Sequence, residues 1–230
     1  MDNNVNVNET TRLPLIGDKA PAFKAVTTQG EINFPQDFSG KWVILFSHPA
    51  DFTPVCTTEF MTFASMAKEF EELNTALVGL SIDSLHSHIA WLRGIQKLEW
   101  NGIVNPEVKF PLIVDIDMNV STKYGMVHPN SGSTTSAVRA VFIIDPEGVI
   151  RTILYYPSST GRNFQEIKRI VVALQKSDRE GIATPANWEE GKDVIIPPPG
   201  TCVDAKERME TKDEDMYCLD WYLCFRKDNK

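Results

Sequence analysis

The 230-residue sequence predicts an α/β fold with a mixed central sheet, helices on the faces of the sheet and an extended C-terminal arm. Three observations carry that expectation. Residues 41–82 read as a strand–helix–strand unit, and a further strand, a hairpin and a helix follow up to about Ser177. Beyond that point the composition turns proline-rich and polar.

Taken in order, residues 1–11 are polar and expected to be flexible. Leu13 to Phe23 is an entry segment punctuated by proline and glycine, and a hairpin is expected around Gly30. Lys41-Trp42-Val43-Ile44-Leu45-Phe46 is aromatic and β-branched, follows Gly40, and reads as a buried strand. Phe60, Phe63, Ala64, Ala67 and Phe70 then recur at three- and four-residue steps, so the chain leaves as an amphipathic helix. Pro54 suits the first turn of that helix, where its missing N–H is not needed, and Thr53 is the expected N-cap. Ala76 to Ile82 is a continuous apolar run, the pattern of a strand covered on both faces.

Ser84 is placed to cap a helix that carries Leu85, Ile89, Leu92 and Gln96 on one stripe, with Trp91 beside it. Phe110 to Asp115 gives another strand, and Asn119 to Tyr124 a short helix that Gly125 ends. Ala137 to Asp145 is apolar except for Arg139; Pro146-Glu147-Gly148 is a turn, and Val149 to Tyr156 returns as the hairpin partner. Asn163 caps a helix with Phe164, Ile167, Ile170, Val171 and Leu174 on one face. These elements define a domain over residues 12–177 and an arm over 178–230. In the arm, Ile195 to Gly200 with its three prolines reads as a stiff connector. Met216 to Phe225 is an aromatic tail too short for its own core, which calls for a docking surface such as a partner subunit.

A net charge of -8 without a long basic cluster argues against nucleic acid as a partner. No apolar run reaches the length of a membrane span and no signal peptide is visible, so the expected location is cytoplasmic. In a reducing compartment the four cysteines point to catalysis, redox sensing or metal binding ahead of structural disulfides.

The turn after the first strand places Cys56 in the first turn of the following helix. A thiol reacts as its thiolate, and a helix N-terminus offers unpaired N–H groups and partial positive charge to an anion. Cys56 therefore reads as a nucleophile; a buried core cysteine is the alternative, and the crowding of polar and rigid turn residues weighs against it. Charge that develops as such a thiolate attacks also needs hydrogen-bond donors. The Thr53 hydroxyl and the Cys56 backbone N–H are placed to supply them, with Pro49 and Pro54 shaping the loop. Arg139 is a guanidinium within an apolar strand, which is costly unless an anion meets it, although its head could instead reach water. His86 and His88, two apart, point away from each other on a helix and read as surface or satisfied histidines.

Pro49-x-x-x-Thr53-x-x-Cys56 followed by Thr57-Thr58-Glu59 resembles the motif of the peroxiredoxins, thiol peroxidases on a thioredoxin-like fold. Gly17-Asp18-x-Ala20-Pro21-x-Phe23 is similar to their opening, and Arg139-Ala140-Val141-Phe142-Ile143-Ile144-Asp145 to the strand that bears their active-site arginine. The resemblance implies Cys56 as peroxidatic nucleophile, with Thr53 and Arg139 stabilising thiolate and peroxide. Arg162, in Tyr156-Pro157-x-x-Thr160-Gly161-Arg162-Asn163, matches a second arginine that networks with a glutamate, here Glu59; a surface charge at a helix start is its alternative reading. His48 joins Arg139, Thr53, Arg162 and Glu59 in the set expected around the substrate.

Cys218-Leu219-Asp220-Trp221-Tyr222-Leu223-Cys224 looks like the C-terminal segment of archaeal-type peroxiredoxins, related to the one-cysteine branch. That resemblance implies Cys224 as the resolving thiol from a neighbouring subunit and Cys218 as its exchange partner. A thioredoxin-like dithiol is the implied reductant, and a homodimer in a ring of five dimers the implied assembly. Cys202 falls outside the heptad and receives no role. No metal, haem or flavin is implied: the three C-terminal cysteines lack the closely spaced pair of a zinc site, and no Cys-x-x-Cys surrounds Cys56. Lys24 to Gly40 has no Gly-x-Ser-x-Gly element, so no phospholipase activity is expected. The alternative function is a redox-controlled peroxide sensor or holdase chaperone.

Overall fold

The computed structural model describes residues 12–130, 135–211 and 213–228, so the segment 1–11 expected to be flexible lies outside the described residues. The chain divides into two compact units, one reaching to Arg162 and the other beginning at Asn163.

The first unit opens with the hairpin expected at Gly30, β1 (Phe23–Thr27) and β2 (Gly30–Phe34). It continues through β3 (Trp42–Ser47), α1 (Pro54–Glu72), β4 (Thr75–Ser81) and α2 (Leu85–Ile95). Two short strands, β5 (Glu99–Trp100) and β6 (Ile103–Val104), pair with each other. Then come β7 (Leu112–Val114), α3 (Asn119–Lys123), β8 (Arg139–Ile144) and β9 (Ile150–Tyr156).

The main sheet has seven strands in the order β2-β1-β7-β4-β3-β8-β9. The three strands β7, β4 and β3 run parallel, and the remaining pairings are antiparallel, which makes the sheet mixed. Every residue of β3 and β8 is buried, as continuous apolar strands at the middle of a covered sheet must be. On one side lie Leu45, Val78, Ile113, Tyr124 and Phe142. Elsewhere in the same unit Phe46, Phe60, Phe63 and Phe110 meet ring to ring, Phe46 and Phe63 with centroids 4.5 Å apart. Each such buried ring stabilises the fold by about 1.5–3 kcal/mol. Gly79 lets the layers close up there: a Cβ on it would lie 3.0 Å from Leu112 Cδ1 and 3.2 Å from Phe46 Cζ, so those side chains would have to shift.

Register places the chemistry. Parallel pairing of β3 with β4 runs from Trp42↔Thr75 to Ser47↔Leu80, so α1 starts beyond the C-terminal end of β3. Antiparallel β8 aligns Phe46 with Val141, which puts Arg139, the first residue of β8, at that same end.

Helix α1 buries Cys56, Glu59, Phe60, Phe63, Met66 and Phe70, so Cys56 and Glu59 belong to its inward stripe. Helix α2 departs from expectation. Its buried residues are His88, Trp91 and Ile95, whereas Ile89 is 42% exposed. An apolar count cannot find this face, because one inward position is a histidine held by a buried carboxylate described below. The Ser84 side chain does cap α2, accepting from Ser87 N.

The second unit contains α4 (Phe164–Glu180), β10 (Val194–Ile196), α5 (Cys202–Glu210), β11 (Met216–Asp220) and β12 (Leu223–Arg226). Asn163 caps α4 as expected, and α4 runs unbroken past Ser177 to Glu180, where Gly181 adopts the left-handed cap conformation. The arm holds more regular structure than its composition indicated. Part of the expected connector is β10, which pairs with β12 from Val194↔Arg226 to Ile196↔Cys224, and β12 pairs with β11. The aromatic tail thus finds backbone partners within its own chain, with β12 paired on both sides and β11 at the sheet edge. The tip of the hairpin stays open: Leu219, Trp221 and Tyr222 are exposed. A small core of Ala173, Ile182, Trp188 and Val194 holds this unit, and the Trp188 ring N–H donates to Lys192 O at 2.9 Å.

Candidate active site

Pro54 occupies the first position of α1 and Thr53 precedes it in an extended conformation. The hydroxyl of Thr53 does not cap the helix as expected; it donates to Ala50 O at 2.9 Å. Its lone pairs remain available, so toward a ligand this hydroxyl can accept and not donate. Thr57 closes the first turn through its N–H and hydroxyl, which donate to Thr53 O at 3.0 and 2.8 Å. Cys56 sits one residue earlier, fully buried, with its thiol free. Phe52, just ahead of Thr53, is exposed and holds a positive φ of 57°, a strained state for a bulky residue that costs on the order of 1–3 kcal/mol.

Arg139 is the cation that the sequence left between two readings. It is buried, and its Nη1 donates both to Cys56 Sγ at 3.2 Å and to Glu59 Oε2 at 2.7 Å. Its Nε and Nη2 donate to Ser158 O at 3.2 and 2.8 Å, which fixes the plane of the guanidinium. Arg162 approaches Glu59 from another side. Its backbone N and Nε donate to Glu59 Oε1 at 2.9 Å each, Nη2 donates to Oε2 at 2.7 Å, and Nη1 donates to Ser47 O and Ala140 O. Arg162 is buried and lies over the Phe46 ring, which excludes the reading of a surface charge. Burial alone would raise the carboxyl of Glu59, but Arg162 and then Arg139 hold it below the ordinary carboxylate range.

His48 and Pro49 begin the loop, His48 fully buried and Pro49 half-buried. His48 Nε2 lies 3.1 Å from Asp51 Oδ1, while its buried Nδ1 has no hydrogen-bond partner. Burial pushes the His48 ring toward its neutral form, against the pull of Asp51. Asp51 itself receives Ser87 Oγ at 2.8 Å and His88 Nδ1 at 2.8 Å on Oδ2. Although desolvation would raise it, hydrogen bonds from His48 and His88 keep Asp51 far below the usual carboxylate range. The ligand-type atoms of His48, Asp51 and Asp83 lie within 4.8 Å of one another, yet they are engaged with each other and with Ser81, Ser87 and His88.

Cys56, Glu59, Arg139 and Arg162 are thus brought into one network, with Thr53 and Pro49 on the loop beside it. Cys218 and Cys224 belong to the second unit, where they face each other across β11 and β12 and are joined by a disulfide. Cys202 is free and exposed as the first residue of α5. Three contributors escaped the sequence: Asp51, two of whose partners lie 36 and 37 residues away; His88, read only as a surface or satisfied histidine; and Ser158, which acts through a carbonyl that leaves no side-chain signal.

Residues 16–153 match the model of the AhpC/TSA family and residues 173–212 that of the C-terminal domain of 1-Cys peroxiredoxin. A peroxiredoxin of Methanosarcina mazei is 67% identical over 219 residues, covering 95% of this chain and all of the relative. One from Aquifex aeolicus is 52% identical, covering 95% and 99%. Among solved structures, a yeast mitochondrial 1-Cys peroxiredoxin superposes with a TM-score of 0.78 at 42% identity, covering 94% and 100% of the two chains. A mutant of the peroxiredoxin 6 of Arenicola marina gives 0.82 at 32% identity, covering 94% and 99%. The mixed sheet is therefore that of a thioredoxin-like peroxiredoxin, and the chain belongs to the AhpC/TSA family as a peroxiredoxin, a peroxidase enzyme.

Proposed function

We propose that this peroxidase reduces hydrogen peroxide and organic hydroperoxides at Cys56. The observation that carries the assignment is the 3.2 Å contact from Arg139 Nη1 to Cys56 Sγ, within a buried set of two arginines and one glutamate. Those three side chains carry one net positive charge, and a buried charge demands a partner. A thiolate on Cys56 balances it. The thiolate attacks one peroxide oxygen, the O–O bond breaks, and the departing oxygen leaves as water or an alcohol after taking a proton; sulfur is oxidised to sulfenic acid. Arg139 stabilises the developing charge and Thr53 accepts a hydrogen bond from the peroxide, while Pro49 shapes the loop. His48, Glu59 and Arg162 complete the set around the substrate.

Resolution is assigned to Cys224. Its thiol condenses with the sulfenic acid of Cys56, releasing water and forming a Cys56–Cys224 disulfide. Cys218 then attacks Cys224, freeing the Cys56 thiolate and leaving the Cys218–Cys224 disulfide for a thioredoxin-like dithiol to reduce. The cross-strand pairing of Cys218 with Cys224 supports the last exchange. In this reading residues 12–177 carry the peroxidase chemistry and 178–230 the arm that bears the resolving thiols. A cytoplasmic homodimer, five of which form a ring, is the proposed working assembly.

The test is intact mass on non-reducing gels after one equivalent of hydrogen peroxide, for the parent and for Cys56→Ser, Cys218→Ser and Cys224→Ser. A disulfide-linked dimer that disappears in Cys56→Ser and Cys224→Ser is the expected result. Oxygen retained on Cys56 with no disulfide, indifferent to the tail variants, overturns the role of Cys224. Peroxide consumption that survives Cys56→Ser overturns the site.

A further inference from the structure

Helix α2 carries no reacting atom, yet its inward face is built around a histidine. His88 is fully buried, and each of its ring nitrogens faces an oxygen: Nδ1 lies 2.8 Å from Asp51 Oδ2 and Nε2 lies 3.2 Å from Ile113 O. A carbonyl oxygen only accepts, and an ionised carboxylate only accepts. Both contacts are hydrogen bonds at once only if both nitrogens carry protons, the arrangement of a buried imidazolium beside a carboxylate. His48 differs: Nε2 faces Asp51 and Nδ1 has no hydrogen-bond partner, the pattern of a neutral ring protonated on Nε2.

Asp51 is where this pair meets the loop. Its side chain takes His48, Ser87 and His88, and its backbone N–H donates to Asp83 Oδ2, which also receives Ser81 Oγ. The next residue is Phe52, in its left-handed conformation, and the one after is Thr53. A strained residue persists only where its neighbours over-determine the chain. Here one anchor is Asp51 and the other is the first turn of α1. That turn is itself held by α2, since Trp91 Nε1 donates to Thr57 Oγ1 at 3.2 Å and the Trp91 ring stacks on His48.

We propose that Asp51 and His88 are positioning residues of the peroxidase reaction: a protonated His88 on α2 and an ionised Asp51 pin the loop so that Thr53 and Cys56 keep the geometry a peroxide requires. Neither touches substrate or sulfur. The charged and titratable groups that face the pair are His48 at the end of β3 and Asp83 between β4 and α2, and Ile113 O from β7 receives the second ring proton. The inference rests on Cys56 as the attacking thiol, which the Cys56→Ser measurement tests separately.

The experiment compares two reactions of Cys56 in Asp51→Asn, His88→Gln and the double variant. One is the second-order rate with hydrogen peroxide, which depends on Thr53 and Arg139 being in place; the other is alkylation by iodoacetamide, which does not use that geometry. The expected result is a peroxide rate lower by about tenfold to a hundredfold, alkylation changed by less than about threefold, and a double variant no slower than the worse single one. Unchanged peroxide rates, parallel loss of both reactions, or additive losses overturn the proposal. If the variants do not fold, nitrogen-edited NMR of the parent protein near neutral pH decides. Two ring N–H protons on His88 are expected, and a single one refutes the pin even where Cys56 remains essential.

Discussion

Arg139 Nη1 is shared between Cys56 Sγ at 3.2 Å and Glu59 Oε2 at 2.7 Å, so one nitrogen links the thiol to the carboxylate one helical turn away. The same guanidinium is braced from behind by Ser158 O. Arg139→Lys therefore keeps a charge but loses the fork, because a single ammonium cannot serve sulfur, carboxylate and carbonyl in one plane. The second-order rate with hydrogen peroxide, followed by stopped-flow fluorescence, is expected to fall by about 10²–10³. A rate within threefold of the parent would show that Arg139 does no more than balance charge.

Glu59→Gln removes the carboxylate that contacts both arginines and leaves two buried guanidiniums without their shared anion. Breaking a buried ion network from one side costs about 3–5 kcal/mol. Urea unfolding is expected to show that loss as a lower midpoint. A midpoint matching the parent would mean that water enters and takes over the role of Glu59.

The pH dependence of stability follows from three shifts. Glu59 and Asp51 have folded values below their ordinary ones, so each contributes stability above the ordinary carboxylate pKa that is lost as pH falls through the lower folded value. His48 is also lowered, from an ordinary 6.5, so between its folded value and 6.5 the unfolded chain binds more protons and stability rises with pH. All three act in one direction: unfolding free energy, measured by urea titration at intervals from pH 8 to pH 4, is expected to decline, with the His48 contribution beginning below 6.5. Measured in His88→Gln, which removes the other buried ring of the cluster, a flat profile over that interval contradicts the assignment of a neutral His48.

In the second unit Trp188→Ala empties the centre of the small core formed with Ala173, Ile182 and Val194. A loss of about 3–5 kcal/mol is expected. Limited proteolysis should then cut within residues 163–228 while the initial reaction of Cys56 with peroxide persists. Loss of that initial reaction in the variant would mean that the first unit needs the second for its chemistry.

Much of this was legible because the deciding residues announce themselves locally. β3, β4 and β8 are near-continuous apolar runs, Ser84 and Asn163 cap where they stand, and Arg139 is conspicuous as a charge in an apolar strand. What was hidden depends on partners distant in sequence. The inward face of α2 could not be read from apolar spacing, since His88 earns its place through Asp51. Helix α5 buries no residue, so periodicity has nothing to mark. β10 is three residues whose strand character comes from pairing with β12, about thirty residues later.

Glu59 has one more consequence for Cys56. The two lie three positions apart on α1, and Arg162 ties Glu59 to the strand ends through Ser47 O and Ala140 O. If α1 unwinds from its N-terminus, Glu59 is the stop at which unwinding must halt while the ion network survives. Only residues 54–58 can then leave the helix, a tether of about 17 Å when fully extended. The sulfur of Cys56 can swing outward on that leash, and the arginines that receive it on return stay where they were.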